Sequence, residues 1–256
     1  MRDALADLRV LSRDGFVRGS WLVGAFLLGL GLNTATVFSG FAVLAGTQLP
    51  NGFYTRQAVG LVLLVLSFPF VILGATLGGG DFARGTYQNR LVVSDRVRLG
   101  ASRQLSLAGV CTVTVAVVVS VGSAVDAAHP ESQMLDLAAL VALTGSVSLI
   151  AVLWGTAALV VALLSRSVLT GLLVTWGIIA AEVLATLSDK ASSAADFLPL
   201  HVGLSLLNAL TTAPPEEVVN LHPPDLLDPL TALIVAAIWI GTLSAVHLAT
   251  MSRREF

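Results

Sequence analysis

Hydrophobic residues in this chain gather into long runs separated by short polar breaks. Six runs, over residues 21–45, 58–77, 105–125, 137–164, 168–187 and 229–250, reach the roughly 20 residues a helix needs to cross a bilayer core of about 30 Å. Pro69 lies inside the second run and is expected to kink it, because proline lacks an N–H and its ring clashes with the preceding turn. Ahead of the first run, residues 1–18 repeat Leu5, Leu8 and Leu11 every three positions, with Arg2, Asp3, Asp7, Arg9, Arg13 and Asp14 on the other faces. That pattern predicts an amphipathic helix lying on a membrane surface, a frayed charged tail being the plain alternative. Gly15 and Gly19 allow a turn from it into the first span. Between the fifth and sixth runs, residues 188–228 hold an apolar stretch, 197–210, too short to span. It reads as a re-entrant or interfacial outer helix, or as a greasy helix in an ordinary outer loop, and Pro214-Pro215 and Pro223-Pro224 stiffen the acidic segment behind it.

The break after the second run stands apart. Residues 78–104 form a polar island with five arginines, Arg84, Arg90, Arg96, Arg98 and Arg103. It is too polar to cross a bilayer and too long for a simple turn, so it is expected to be an ordered segment outside the membrane. Gly78-Gly79-Gly80 at its start reads as a flexible helix end.

Composition places these elements in a membrane. The 256 residues are 55% hydrophobic and 12% charged, mean hydropathy is +0.87, and a soluble domain carries about twice that charged fraction. The expected architecture is all-α: one integral, multi-pass domain over 1–256, with no room for a soluble catalytic domain. A net charge of −2 excludes a broad nucleic-acid footprint, and the lone Cys111 leaves no intrachain disulfide. Seven charges of both signs in the first eighteen residues do not make a cleavable signal peptide, so the first span is expected to be retained. Arginine then sets the orientation. With the N-terminus inside, only Arg56 and Lys190 fall outside, which puts both termini and the island in the cytoplasm. The outer segments are acidic, with Asp126, Glu131, Asp189, Asp196, Glu216, Glu217, Asp225 and Asp228.

Signatures of catalysis are nearly absent. Lys190 follows Asp189, so there is no phosphate loop to hold ATP, and the four histidines lack metal-ligand spacing, so no metal site or catalytic residue is assigned. Ser146 and Ser148 fit helix packing better than nucleophilic work. Polar groups within spans are costly in hydrocarbon and often functional. Asn33 reads as an interhelical hydrogen bond or a contact on a substrate pathway. Glu182 reads as an interfacial carboxylate reaching outward or as a cavity contact, and His247 as interfacial.

Taken together, the residues resemble the permease subunit of a type-2 ATP-binding cassette (ABC) exporter. Asp81-Phe82-Ala83-Arg84-Gly85-Thr86, with Leu91 and Arg96 to Arg103 behind it, is similar to that family's acidic, Gly-Thr, Leu-rich and basic pattern after the second span. Phe197-Leu198-Pro199-Leu200-His201-Val202-Gly203 resembles its Leu-Pro-x-x-x-Gly stretch, and Arg253-Arg254-Glu255 its closing tail. Asp81 replaces the usual glutamate, Ser94-Asp95 a proline, and Arg103 a lysine. The resemblance implies that the island is a coupling helix docking on a separate ATPase subunit, with Asp81, Arg84, Gly85, Thr86, Tyr87, Gln88 and Arg90 at the contact. Gly85 would admit a close backbone approach, Arg84 and Arg90 would meet acidic residues of the partner, and Asp81 would cap the helix or hold an arginine of the N-terminal helix. It implies two permeases, identical or paralogous, with two ATPases carrying ATP and magnesium, in a bacterial plasma membrane. The cargo would be a drug, lipid or peptide. A basic loop touching only lipid headgroups is the plain alternative for the island. For the whole chain the alternatives are a membrane-embedded enzyme using Glu182 and a histidine, or an ATP-independent sensor or immunity protein.

Overall fold

The computed structural model describes residues 7, 9, 11–44, 49, 51–64, 67–86, 95–129, 132–186, 197–210 and 227–253. Regular structure among them is helical, with no strand. Asp7 and Arg9 are helical, and eight helices follow: α1 (Gly15–Leu44), α2 (Phe53–Leu64), α3 (Ser67–Ala83), α4 (Arg96–Ala128), α5 (Leu137–Ser165), α6 (Val168–Thr186), α7 (Pro199–Leu210) and α8 (Pro229–Arg253). Within α1, α4, α5 and α8, the stretches Val17–Phe41, Arg96–Ala128, Leu137–Ser165 and Pro229–Ser252 are long and apolar enough to cross a membrane, while Phe68–Ala83 and Val168–Glu182 are shorter apolar helices. This is an all-helical chain built to sit in a membrane.

α5 is the hub, flanked by α3, α4, α6, α7 and α8. Within its most apolar window 72% of residues are buried, against 17% in α1 and in α8, so those two helices line the outside of the bundle. Glycine sets how closely α3 lies on its neighbours. A methyl group at Gly74 or Gly78 would strike the carbonyl of Gly155 or Leu159 in α5, and one at Gly79 would stand 2.7 Å from the Val168 nitrogen of α6. Without side chains the backbones touch, as in tightly packed membrane helices. Gly78 and Gly79 are therefore packing positions of α3, Gly80 is buried in the same helix, and the expectation of a flexible end is corrected.

The run over 58–77 is helical on both sides of residues 65 and 66, which lie outside the described residues: α2 is described to Leu64 and α3 from Ser67, with Pro69 inside it. One boundary differs from the pattern-based expectation. The polar island is mostly helix. Residues 78–83 close α3 and 96–104 open α4, leaving a link over 84–95 of which 84–86 and 95 are described. Ser102 and Arg103 are polar by composition and buried in fact. Hydropathy cannot see a charge neutralised by a partner more than twenty residues away.

α7 lies against α5 and α8, packing Val202 and Leu206 onto Ala232 and Ala236. Gly203 approaches the Ile150 side chain, Ser205 Oγ accepts from the Leu227 N–H at 3.1 Å, and the Trp239 indole donates to the Phe197 carbonyl at 2.9 Å. The N-terminal surface helix expected over 1–18 is described only in part. Leu11 is buried as its stripe predicts, Leu5 and Leu8 lie outside the described residues, and Asp7 is buried instead of solvated. Residues 15–18 already belong to α1. Most of the acidic outer loop, 187–196 and 211–226, also lies outside the described residues.

Candidate functional site: a polar joint where α3, α4 and the N-terminal segment meet

α3 ends in a geometry that its sequence dictates. The Thr86 N–H bonds the Asp81 carbonyl at 2.9 Å and the Gly85 N–H bonds the Phe82 carbonyl at 3.1 Å, with Gly85 at φ +65°. These two bonds around a left-handed residue make a Schellman cap, which satisfies carbonyls that the helix end would orphan. Glycine takes this φ without the clash a Cβ would meet. Gly85 is exposed, and among the described residues no atom lies within 4 Å of the place its Cβ would occupy. The turn is bare backbone facing outward.

The cap is anchored from beneath by charge. Asp81, 4% exposed, pairs with the Arg103 guanidinium of α4, itself 1% exposed. Its other oxygen accepts from the Thr86 hydroxyl at 3.2 Å and faces Arg84 Nη2 at 3.7 Å. Arg84 in turn reaches Asp14, just ahead of α1, at 3.4 Å. The Ser102 hydroxyl, one position from Arg103, donates to the buried Asp7 carboxylate at 3.3 Å. Beside Arg103, His247 of α8 is fully buried, with Nε2 3.3 Å from the Gly100 carbonyl. Two carboxylates of the N-terminal segment, the end of α3, the start of α4 and the end of α8 thus meet in one joint. The low dielectric strengthens the Asp81–Arg103 attraction, and both charges depend on each other for solvation.

Several expected roles are redistributed. Asp81 pairs with Arg103 of α4, and the N-terminal segment contributes the carboxylates of Asp14 and Asp7 to the joint. Arg84, expected to face a partner's acidic residues, is engaged within the chain, though its side chain remains 38% exposed. Arg166 ends α5 in a left-handed conformation (φ 55°) and lays its guanidinium 5.9 Å from the centre of the Phe82 ring. Tyr87, Gln88 and Arg90 lie outside the described residues. The structure does not bring Asn33 and Glu182 together with this joint or with each other. Glu182 is buried in α6 at 4% exposure and does not reach outward. Asn33 is exposed on α1, without an interhelical hydrogen bond among the described residues. Glu182 lies fourteen residues into α6 and His247 six residues from the end of α8, about 12 Å apart along the bundle by helix rise, too far for an acid–base pair. His247 is buried, not interfacial.

At the other end of α4 is a site that pattern reading missed. Asp126, 1% exposed, accepts from the Tyr54 N–H at 3.0 Å, the Thr55 N–H at 2.9 Å, the Thr55 hydroxyl at 2.5 Å and the Ser132 hydroxyl at 2.5 Å. It caps the first turn of α2 from another helix, where the helix dipole favours negative charge. Burial pushes the nearby Arg56 guanidinium below its ordinary value and the Asp126 charge opposes that shift. Asp228 caps α8 in a local version, held below the usual carboxylate range first by the Thr231 hydroxyl and then by the Thr231 N–H. Two acids assigned to the outer loops are therefore helix caps. The one signal for Asp126 was a lone carboxylate at the tail of an apolar run.

An apolar groove of about 540 Å³ opens sideways between α1, α3 and α6, lined among others by Gly19, Val23, Leu27, Phe68, Ile72 and Trp176. Neither Asn33 nor Glu182 lines it. Compared with protein-family models, with curated proteins and with solved structures, the chain matches none.

Proposed function

We propose that this chain is the permease subunit of an ABC exporter, driven by a separate ATPase that carries the ATP and magnesium. In this reading α1, α2 with α3, α4, α5, α6 and α8 form six crossings, α7 is the re-entrant outer helix, and both termini face the cytoplasm of a bacterial cell. The observation that carries the proposal is the Gly85 turn, an exposed glycine fixed by a cap and by the buried Asp81–Arg103 pair. A loop that only touched lipid headgroups would have no use for that rigidity. A partner surface seated over residues 84–90 could push on Gly85, and the push would pass through Asp81 to α4 and through Arg84 to the segment ahead of α1. Motion of a docked ATPase would so be transmitted to three elements at once. The lateral groove, lined almost wholly by apolar side chains, supports a hydrophobic or amphipathic cargo such as a drug, lipid or peptide.

Affinity purification in mild detergent tests the proposal. The expected result is a co-purifying ATPase with ATP hydrolysis, lost in Gly85→Trp while the variant still inserts. Because most side chains strain the left-handed cap, Gly85→Asn serves as control: asparagine tolerates that φ and should preserve the complex. Wild-type protein that captures no ATPase would overturn the proposal.

A further inference from the structure

We propose that α1 pairs with α1 of a second copy of this chain, and that the two Asn33 carboxamides bond each other across the pair. Asn33 lies inside the apolar stretch Val17–Phe41, eight residues and so about 12 Å from its nearer end. Lipid headgroups do not reach that depth, and acyl chains offer neither donor nor acceptor. The other polar groups of this part of α1 are satisfied locally: Thr34 bonds the Leu30 carbonyl at 2.8 Å and Thr36 the Leu32 carbonyl at 2.9 Å. The amide of Gln104, inside α4, is bonded at both atoms, to Ser244 at 3.2 Å and Thr156 at 3.4 Å. Asn33 is exposed and has no hydrogen bond among the described residues.

Helical spacing places Leu22, Phe26, Leu30, Asn33, Val37 and Phe41 on one stripe, its five apolar members 52–72% exposed. Gly29 and Gly40 lie on the same stripe with open space where a Cβ would stand. A side chain as short as asparagine meets its twin only if the helix axes come close, and small residues permit that. A carboxamide carries a donor and an acceptor, so two identical ones related by a two-fold axis satisfy each other. A polar side chain facing outward at this depth is thereby explained by a second copy and by nothing that lipid supplies. The inference rests on the proposed function only for the number of permeases; the pairing face is argued from α1 alone.

The test is thiol cross-linking in membranes that contain no partner ATPase, so its failure is separable from failure to capture one. Cys111 is buried, leaving an introduced cysteine as the reactive thiol. Phe26→Cys and Val37→Cys should each give cross-linked dimer, and Ile238→Cys, on the exposed face of α8, should not. Adding Asn33→Leu should weaken dimerisation about tenfold, whereas Asn33→Gln should retain it. No dimer at positions 26 and 37, equal yield at 238, or an unchanged yield with Asn33→Leu would each overturn the proposal.

Discussion

Asp81 and Asp126 are both buried carboxylates, one at each end of the bundle, and the chain solvates them by different means. Asp126 is met by four neutral donors, two of them backbone N–H groups at the start of α2. All four lie within residues 54–132, and none needs to move. Asp81 is met by the guanidinium of Arg103, by the half-exposed Arg84 and by the Thr86 hydroxyl, contributions from either side of a surface turn. A carboxylate capped by fixed dipoles locks two helices together. A carboxylate shared between a buried and a half-exposed arginine can trade the half-exposed one for another partner at modest cost. The first arrangement suits a static anchor, the second a joint.

Substitutions can break or sharpen this contrast. Arg103→Ala should be the most damaging, destabilising the protein by about 3–5 kcal/mol because Asp81 stays buried and loses its closest counter-charge. Asp81→Leu combined with Arg103→Met should recover most of that loss in thermal unfolding while leaving the joint without its charge. Asp126→Ala should cost about 2–4 kcal/mol by orphaning the first turn of α2, and Asp126→Asn, which keeps one acceptor oxygen, should cost about half as much. Hydrogen exchange at Tyr54 and Thr55 checks this, since both amides should lose protection while Thr86 keeps its own. Gly85→Ala should cost about 1 kcal/mol through the strained φ at the cap. Smallest is Arg84→Ala, below about 1 kcal/mol, because its ion pairs are solvent-screened. If Arg84→Ala proved as destabilising as Arg103→Ala, Arg84 would be part of the static frame and the contrast would fail.

The helices themselves were legible because hydropathy and length report burial in lipid directly. The runs over 137–164, 168–187 and 229–250 match α5, α6 and α8 to within about three residues. The polar island was legible only as polar. Arg96, Arg98 and Arg103 look alike in composition, yet Arg103 faces Asp81 across a helix pair and is buried while Arg98 is exposed. That distinction is tertiary, set by Asp81 at the end of α3 standing across from Arg103. Gly85 was legible as a glycine that mattered, but its immediate duty is to end α3. Asp126 was assigned to a loop because nothing in its neighbourhood announces that α2 begins over it. Asn33 was noticed, and its outward face could not be read from a helix whose one stripe is as apolar as another.

On the proposed function, the Gly85 turn and its arginines form a docking joint, while the Asp126 end is a self-sufficient anchor. ATP hydrolysis captured by tagged wild type, Arg84→Glu and Asp126→Asn, compared at equal amounts of inserted protein, tests it most directly. The account predicts that Arg84→Glu loses the captured activity while Asp126→Asn retains it despite its lower stability. Equal activity in wild type and Arg84→Glu, or loss only in Asp126→Asn, would contradict it.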